Sequence, residues 1–364
     1  MARNEVVGWD ESISRKENPY GVISAKQYKK DSSVLLIDAR LMSYAVFHTR
    51  KLSTSGGICT SVLHGIIEQV QGLCDAANTR RWCLVWDGLP SYRRRIFAGY
   101  KMRQDRDRTL EEAENHRRLL RSMETAREVG DRLGWPQACL SEVEADDLIG
   151  VFSQVLLRRA IQEKSIIERV IMITEDKDYY QLIRRDQLVV YRHRFGEVIN
   201  QKSLLEIYGL TPTQYIDYKA LMGEGEDGDN IPHAEGIGEK TARKLIGLHK
   251  SIPNLHQHLQ ELFVKTSGKL TTKDASLFHN QDITHRAYLL SRILTRPSEL
   301  AKCYPGQRNK LIEEWNVAHG QLVKSLRTDR PMYLRDIASL QGKYEFDSFD
   351  PQSWARSTGY KISI

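Results

Sequence analysis

The 364-residue sequence predicts an α/β fold with a mostly parallel sheet flanked by helices, and three observations lead there. Short apolar runs recur through the first 200 residues: SVLLID at 33–38, RWCLVWD at 81–87, VIMITEDKD at 170–178 and then DQLVVYRHR. Helix-length stretches, among them 57–77 and 144–162, separate the runs, and this alternation is the pattern of parallel strands covered on both faces. The first three runs also end in carboxylates, at the strand ends where such sheets bind ligands.

Taken in order, residues 1–30 are polar, broken by Pro19 and Gly21, and read as an extension ahead of the fold. The sheet region spans 31–200. Within it, residues 91–108 carry seven basic side chains (Arg93, Arg94, Arg95, Lys101, Arg103, Arg106, Arg108) against two acidic ones, the most basic part of the chain. A helix follows, because Thr109 and Glu112 have capping-box spacing and Leu119, Met123, Ala126, Val129 and Leu133 form an apolar stripe. After residue 200 the strand signals fade. Short helices take over in SLLEIYGL, PTQYIDYKALMG and EKTARKLIGLHK, defining a helical region over 201–300. Residues 301–364 hold one amphipathic helix candidate, GQRNKLIEEWNVAHG, and an aromatic-rich tail of unassigned role.

Composition narrows the function. With 40% hydrophobic and 28% charged residues the chain can bury a core, and a net charge of +7 favours a polyanionic partner such as nucleic acid. The five cysteines (59, 74, 83, 139, 303) are odd in number and lack a Cys-x-x-Cys pair, which argues against a disulfide framework or a structural zinc site and for a reducing, intracellular setting. No apolar run has the length of a signal peptide or a membrane span, so a soluble protein is expected.

The carboxylates are Asp38, Asp87, the trio Glu144, Asp146 and Asp147, the pair Asp176 and Asp178, and the acidic stretch that ends at Asp229. Asp176 and Asp178 point to one face if their strand continues. On a helix Glu144 and Asp146 diverge by about 200°; they converge only if Glu144 precedes the helix and Asp146 and Asp147 lie in its first turn. So many carboxylates share a site only if cations offset their repulsion, and all-oxygen ligands suit Mg²⁺ or Mn²⁺. Two such ions about 4 Å apart activate water and stabilise the leaving oxygen in phosphodiester cleavage. Capping is the competing explanation for each Asp alone, and Ser141 with Glu144 even has capping-box spacing. Four acidic clusters in a chain with a separate basic segment favour the metal reading. An EF-hand loop starting at Asp227 is excluded by Ile231 and Gly238, and a P-loop by Glu239 ahead of Lys240.

LLIDA, VWDG, YKMR, VEADDLIG, ITEDKDYYQLI and LMG…DGDNIPHAEGIGEKTA, in this order over residues 33–300, resemble the structure-specific 5′-nucleases, the family of flap endonucleases, phage 5′-3′ exonucleases and the 5′-nuclease domain of bacterial DNA polymerase I. The resemblance implies a PIN-like sheet, a basic arch at about 88–133 and a helix-hairpin-helix DNA-binding region. It implies a Mg²⁺-dependent phosphodiesterase acting on 5′ ends, flaps and nicks in DNA, with Mn²⁺ able to substitute, and removal of RNA primers. Asp38, Asp87, Glu144, Asp146 and Asp147 match ligands of a first metal, and Asp176, Asp178 and Asp229 those of a second. Glu226 has the spacing of a further ligand, with Glu224 and Asp227 competing in a loop about two residues longer than usual for the family. Tyr100 and Lys101 match the arch, where the tyrosine stacks on a base and the lysine reaches the scissile phosphate. Arg103 and Arg106 compete as the second arch cation, and Arg93, Arg94 and Arg95 are candidate phosphate contacts.

EGIGEKTARKLI resembles the family's hairpin: Gly236 and Gly238 permit a tight turn whose N–H groups approach phosphates, Lys240 and Thr241 add contacts, and backbone carbonyls there hold a monovalent cation such as K⁺. The expected partner is branched, flap or nicked duplex DNA or an RNA/DNA hybrid, engaged by a monomer alongside replication proteins and without a membrane. A stand-alone enzyme, encoded by a phage and acting in the host cytoplasm, is the expected setting. The rival readings are a PIN-type RNase and a non-catalytic DNA-structure-binding protein.

Overall fold

A computed structural model describes residues 29–49, 59–102, 109–162, 167–225 and 228–303. Arg103, Arg106, Glu226, Asp227, most of the expected N-terminal extension and the helix candidate beyond residue 303 lie outside the described residues.

Strand β1 (Ser33–Asp38) is buried along its whole length and leads directly into helix α1 (Ala39–Thr49). Helix α2 (Ser61–Ala76) returns the chain to β2 (Trp82–Trp86), which is also fully buried. The short helix α3 (Ser91–Ile96) precedes α4 (Leu110–Arg132), whose N-terminus carries the predicted Thr109–Glu112 capping box. β3 (Gln137–Cys139), α5 (Ala145–Gln162) and β4 (Arg169–Ile173) follow, then a 3-10 helix at Lys177–Leu182, β5 (Leu188–Arg192) and β6 (Glu197–Ile199). The remaining described elements are helices: α6 (Gln201–Tyr208), α7 (Pro212–Met222), α8 (Glu239–His249), α9 (Ile252–Lys265), α10 (Thr272–His279), α11 (Gln281–Ser291) and α12 (Pro297–Cys303).

The six strands make one sheet in the order β3-β2-β1-β4-β5-β6, parallel except for β6, which is antiparallel to β5. Alternation along β1 divides the core in two, as the two-residue period of a strand requires. Leu35 and Ile37 pack with α1, α2 and α4, including Val46, Ile66 and Leu119. Val34 and Leu36 pack on the opposite face with α5 and the later helices, including Phe152, Tyr215 and Leu290.

The fold departs from expectation after β4. The strand ends at Ile173, and Asp176 instead caps the 3-10 helix, its Oδ1 accepting the Asp178 N–H at 2.8 Å. Asp176 and Asp178 therefore do not share a strand face. An aspartate side chain offers the backbone a local hydrogen bond that competes with strand pairing. β3 and β6, three residues each, are too short to leave a periodic signal.

Candidate active site

The carboxyl ends of the three adjacent strands β2, β1 and β4 deliver the acids to one edge of the sheet. Asp38 closes β1, and its Oδ1 accepts the Leu41 N–H at 3.0 Å, the bond of a helix N-cap to the start of α1. Asp87 follows β2, and its Oδ1 accepts the Ala145 N–H at 2.8 Å, so it caps α5 across the sheet. Gly88 makes that approach possible: a Cβ there would stand 2.0 Å from the Leu140 carbonyl oxygen, and its own N–H donates to Val143 O. Glu144 lies just before α5, with Asp146 and Asp147 in the first turn, the one arrangement that lets all three converge. The Ser141 capping-box alternative is replaced by Asp87, which occupies the helix start.

The three converge on Arg93. Its guanidinium, 1% exposed, meets Glu144 Oε2 at 2.5 Å, Asp147 Oδ2 at 3.1 Å and Asp146 Oδ2 at 3.3 Å. Nε also reaches the carbonyl of Leu290 (2.9 Å), and Nη2 that of Arg292 (3.0 Å). Arg93 is therefore not an outward phosphate contact as expected, but an internal countercharge. Arg94 and Arg95 are exposed, and Arg95 donates to the Cys303 carbonyl.

Tyr100 also departs from expectation. It is 1% exposed, and its hydroxyl donates to Asp229 Oδ2 at 2.9 Å, with Glu144 Oε1 at 3.4 Å, so no ring face is open for a base to stack on. Lys101 lies beside it, Nζ 2.7 Å from Glu144 Oε1 and 3.6 Å from Asp229 Oδ2. Lys219 of α7 does the same for two further acids, 2.9 Å from Asp178 Oδ1 and 3.6 Å from Glu224 Oε2. Arg40 faces Asp87 at 3.4 Å. Sequence reasoning missed Lys219, which sits one helical turn before the acidic stretch and carries no motif of its own.

The electrostatics follow from burial and crowding. Burial and the neighbouring Asp87 push the Asp38 carboxyl up to about 7. Burial also raises Asp146, Asp147 and Asp229, against the pull of Arg93 or Lys101. Burial would raise Glu144 as well, but Arg93 and Lys101 together hold it down to about 2. Burial opposes the charge on Lys101 and Lys219, yet the surrounding carboxylates outweigh it and raise both ammonium groups above their ordinary range.

Among the described residues nine carboxylates, with Glu224 included, face four cations: Arg40, Arg93, Lys101 and Lys219. No three of these acids close around one point as metal ligands among the described residues, because the cationic side chains stand between them. The donor set is nonetheless all oxygen and short of positive charge, which fits hard divalent cations rather than zinc.

Gly236, Gly238, Lys240 and Thr241 lie together elsewhere on the surface, at the start of α8. Gly236 has φ +78°, and Gly238 caps the helix with extended backbone; the space where either Cβ would stand is open. Lys240 is exposed, while Ala242 is buried beneath it. Among the described residues no helix is long and apolar enough to cross a membrane, and all five cysteines are free thiols.

Comparison with known proteins agrees with this architecture. Residues 33–209 match the model of the 5′-3′ exonuclease N-terminal resolvase-like domain, and residues 210–296 that of the 5′-3′ exonuclease C-terminal SAM fold. The chain is 26% identical to a 5′-3′ exonuclease of Buchnera aphidicola over 270 residues, 72% of this chain and 87% of that one. It is 33% identical to the thermostable DNA polymerase I of Thermus aquaticus over 259 residues, 70% of this chain but 28% of the polymerase. The chain thus spans less than a third of the polymerase relatives it matches. Its fold is similar to a solved 5′-exonuclease of bacteriophage T5 described with bound zinc ions, with a TM-score of 0.65 and 17% identity over 80% of this chain and 99% of that one. With residues 33–209 and 210–296 matched by the two domain models of that family, the chain belongs to the 5′-3′ exonuclease family.

Proposed function

We propose that this chain is a divalent-metal-dependent 5′-nuclease, a 5′-3′ exonuclease and flap endonuclease that hydrolyses phosphodiester bonds at 5′ ends, flaps and nicks in DNA. The observation that carries the reading is the crowd of carboxylates at the edge of β2, β1 and β4, with Lys101 among them. Asp38, Asp87, Glu144, Asp146 and Asp147 would hold one Mg²⁺, and Asp176, Asp178 and Asp229 a second, with Glu226, or in its place Glu224 or Asp227; Mn²⁺ can substitute. Such ions, when bound, supply an activated water and stabilise charge on the departing 3′ oxygen.

The chain's own groups do the rest. Lys101 is already charged and lies between Glu144 and Asp229. Once those carboxylates have another cation, its ammonium is free to meet the scissile phosphate, where negative charge develops. Tyr100 holds Asp229 in place through its hydroxyl. Arg93 keeps Glu144, Asp146 and Asp147 gathered, and Lys219 does so for Asp178 and Glu224. The exposed Arg94 and Arg95, with Arg103 and Arg106, supply phosphate contacts in the arch. The Gly236–Gly238 turn, Lys240 and Thr241 hold the duplex without reading bases, with K⁺ on nearby carbonyls. In this scheme residues 31–200 carry most of the chemistry, Lys219, Glu224 and Asp229 complete it, and the rest of residues 201–300 supplies the grip. A monomer would then act on flaps, nicked duplex or RNA/DNA hybrid, remove RNA primers with replication proteins, and work in the host cytoplasm if phage-encoded.

The test is cleavage of a 5′-labelled flap in Mg²⁺. Wild-type protein should release the flap, and Asp87→Ala and Asp178→Ala should abolish release; cleavage surviving either change removes the metal assignment.

A further inference from the structure

The backbone running from the end of α11 toward α12 bonds Asp147 directly and reaches the backbone of Asp178 through Gln181. Helix α11 ends at Ser291, leaving its last carbonyls without partners inside the helix. Arg93 satisfies the Leu290 carbonyl at 2.9 Å and also takes that of Arg292 at 3.0 Å. The Leu294 N–H donates to Asp147 Oδ1 at 2.7 Å. On the other side, Gln181 donates from Nε2 to the Ser291 carbonyl (2.8 Å) and to the Asp178 carbonyl (2.9 Å), while its Oε1 accepts the Ile293 N–H at 3.0 Å. Five consecutive residues thus each give a backbone group to one of three side chains: Asp147 itself, Arg93, which pairs with three acids, or Gln181, which bonds the backbone carbonyl of Asp178. The exit of the segment is fixed by Arg292, which pairs with Glu299 at 2.6 Å.

We propose that residues 290–294 are a positioning strap that sets the spacing between the Glu144–Asp146–Asp147 group and the Asp176–Asp178 group, with Gln181 as its positioning residue. Metal ligands depend on the groups that orient them, and changing those groups costs about 10-fold to 100-fold in metal affinity or activity. The strap bonds the Asp147 carboxylate directly and, through Gln181, the backbone that carries Asp178. Because that stretch is continuous with α11, which packs in the core with α7, the helical region and the acid centre are held to one another. The chemistry of the strap rests on the nuclease reading above, but its geometry does not.

Two variants test it. Gln181→Leu keeps the size of the side chain and removes three hydrogen bonds. Gly150→Ala acts from the other side: in the middle of α5 an alanine is intrinsically favoured over glycine, yet its Cβ would stand 2.4 Å from the Leu294 carbonyl oxygen and so must push the strap away. Mn²⁺ binding to the DNA-free protein is followed by electron paramagnetic resonance, alongside thermal melts, flap binding in EDTA, and the Mg²⁺ dependence of single-turnover cleavage. Both variants should bind Mn²⁺ about 10-fold more weakly and need correspondingly more Mg²⁺ for half-maximal rate, with flap binding in EDTA unchanged. If Gln181→Leu melts early, Gly150→Ala carries the same comparison. Wild-type Mn²⁺ affinity in a folded variant overturns the strap. A wild-type protein that binds Mn²⁺ but cuts no flap overturns the nuclease reading and leaves the strap to be decided by the Mn²⁺ titration.

Discussion

Replacing Arg93 with methionine separates its observed role from the one expected of a basic residue in this segment. The side chain is enclosed, bonds three carboxylates at 2.5 to 3.3 Å and satisfies two carbonyls. Arg93→Met keeps the apolar stem and deletes the charge, which leaves Glu144 and Asp147, both almost fully enclosed, without their main partner. Removing one member of a buried ion pair costs about 3–5 kcal/mol, and the two stranded carbonyls draw on the same loss rather than adding to it in full. For a chain of this size that lowers the melting temperature by about 4–7 °C. The assay is a thermal melt in EDTA and again in Mg²⁺, with the smaller drop expected in Mg²⁺, since the stranded carboxylates then have another cation. Arg93→Lys should fall between the two, because an ammonium keeps the charge but not the fork of donors. A melting temperature equal to wild type in EDTA, together with weakened DNA binding, would refute the reasoning and return Arg93 to the role of a phosphate contact.

Three further outcomes are expected. Lys101→Ala should lower the single-turnover cleavage rate by about 10²-fold to 10³-fold, the usual loss of one transition-state donor, while flap binding in EDTA changes much less. Lys240→Ala should weaken binding equally for different sequences and reduce the salt dependence of log K by about one, as measured by fluorescence anisotropy across a salt series. Asp217 is buried and accepts the Ile252 N–H at 3.2 Å, and burial pushes its carboxyl up to about 6 from 3.8. The folded state therefore holds this proton more tightly than the unfolded one, so the stability it contributes is present below about pH 4 and lost as pH rises through 6. Asp217→Asn should remove that loss, and parallel melting curves for the two proteins from pH 4 to 7 would contradict it.

How much of this was legible in the sequence depends on the range over which each signal acts. The buried strands β1, β2 and β4 announced themselves as apolar runs, and the α4 capping box as two residues at fixed spacing. The condition for Glu144, Asp146 and Asp147 to converge was a local geometric one, and the structure meets it. Arg93 could not be told from Arg94 and Arg95 in advance, because which of three adjacent arginines turns inward depends on a pocket completed by Leu290 and Arg292, about 200 residues away. Lys219 was invisible for the same reason: its partners come from the turn after β4 and the loop after α7. The strand end at Ile173 was misplaced because capping by Asp176 prevailed over the continuing run.

Capping and the acid site proved not to be alternatives. Asp38 caps α1, Asp87 caps α5 and Asp176 caps the 3-10 helix, so three helical segments begin at the carboxylate cluster and turn their free N–H groups toward it. Those groups carry a fractional positive charge that belongs to the backbone. It cannot be titrated, diluted away or removed by changing a side chain. The fold thus holds a permanent, if partial, countercharge against its own acids. The same arrangement makes asparagine, which keeps the cap and drops the charge, the substitution that silences each of these three acids with least damage to the scaffold.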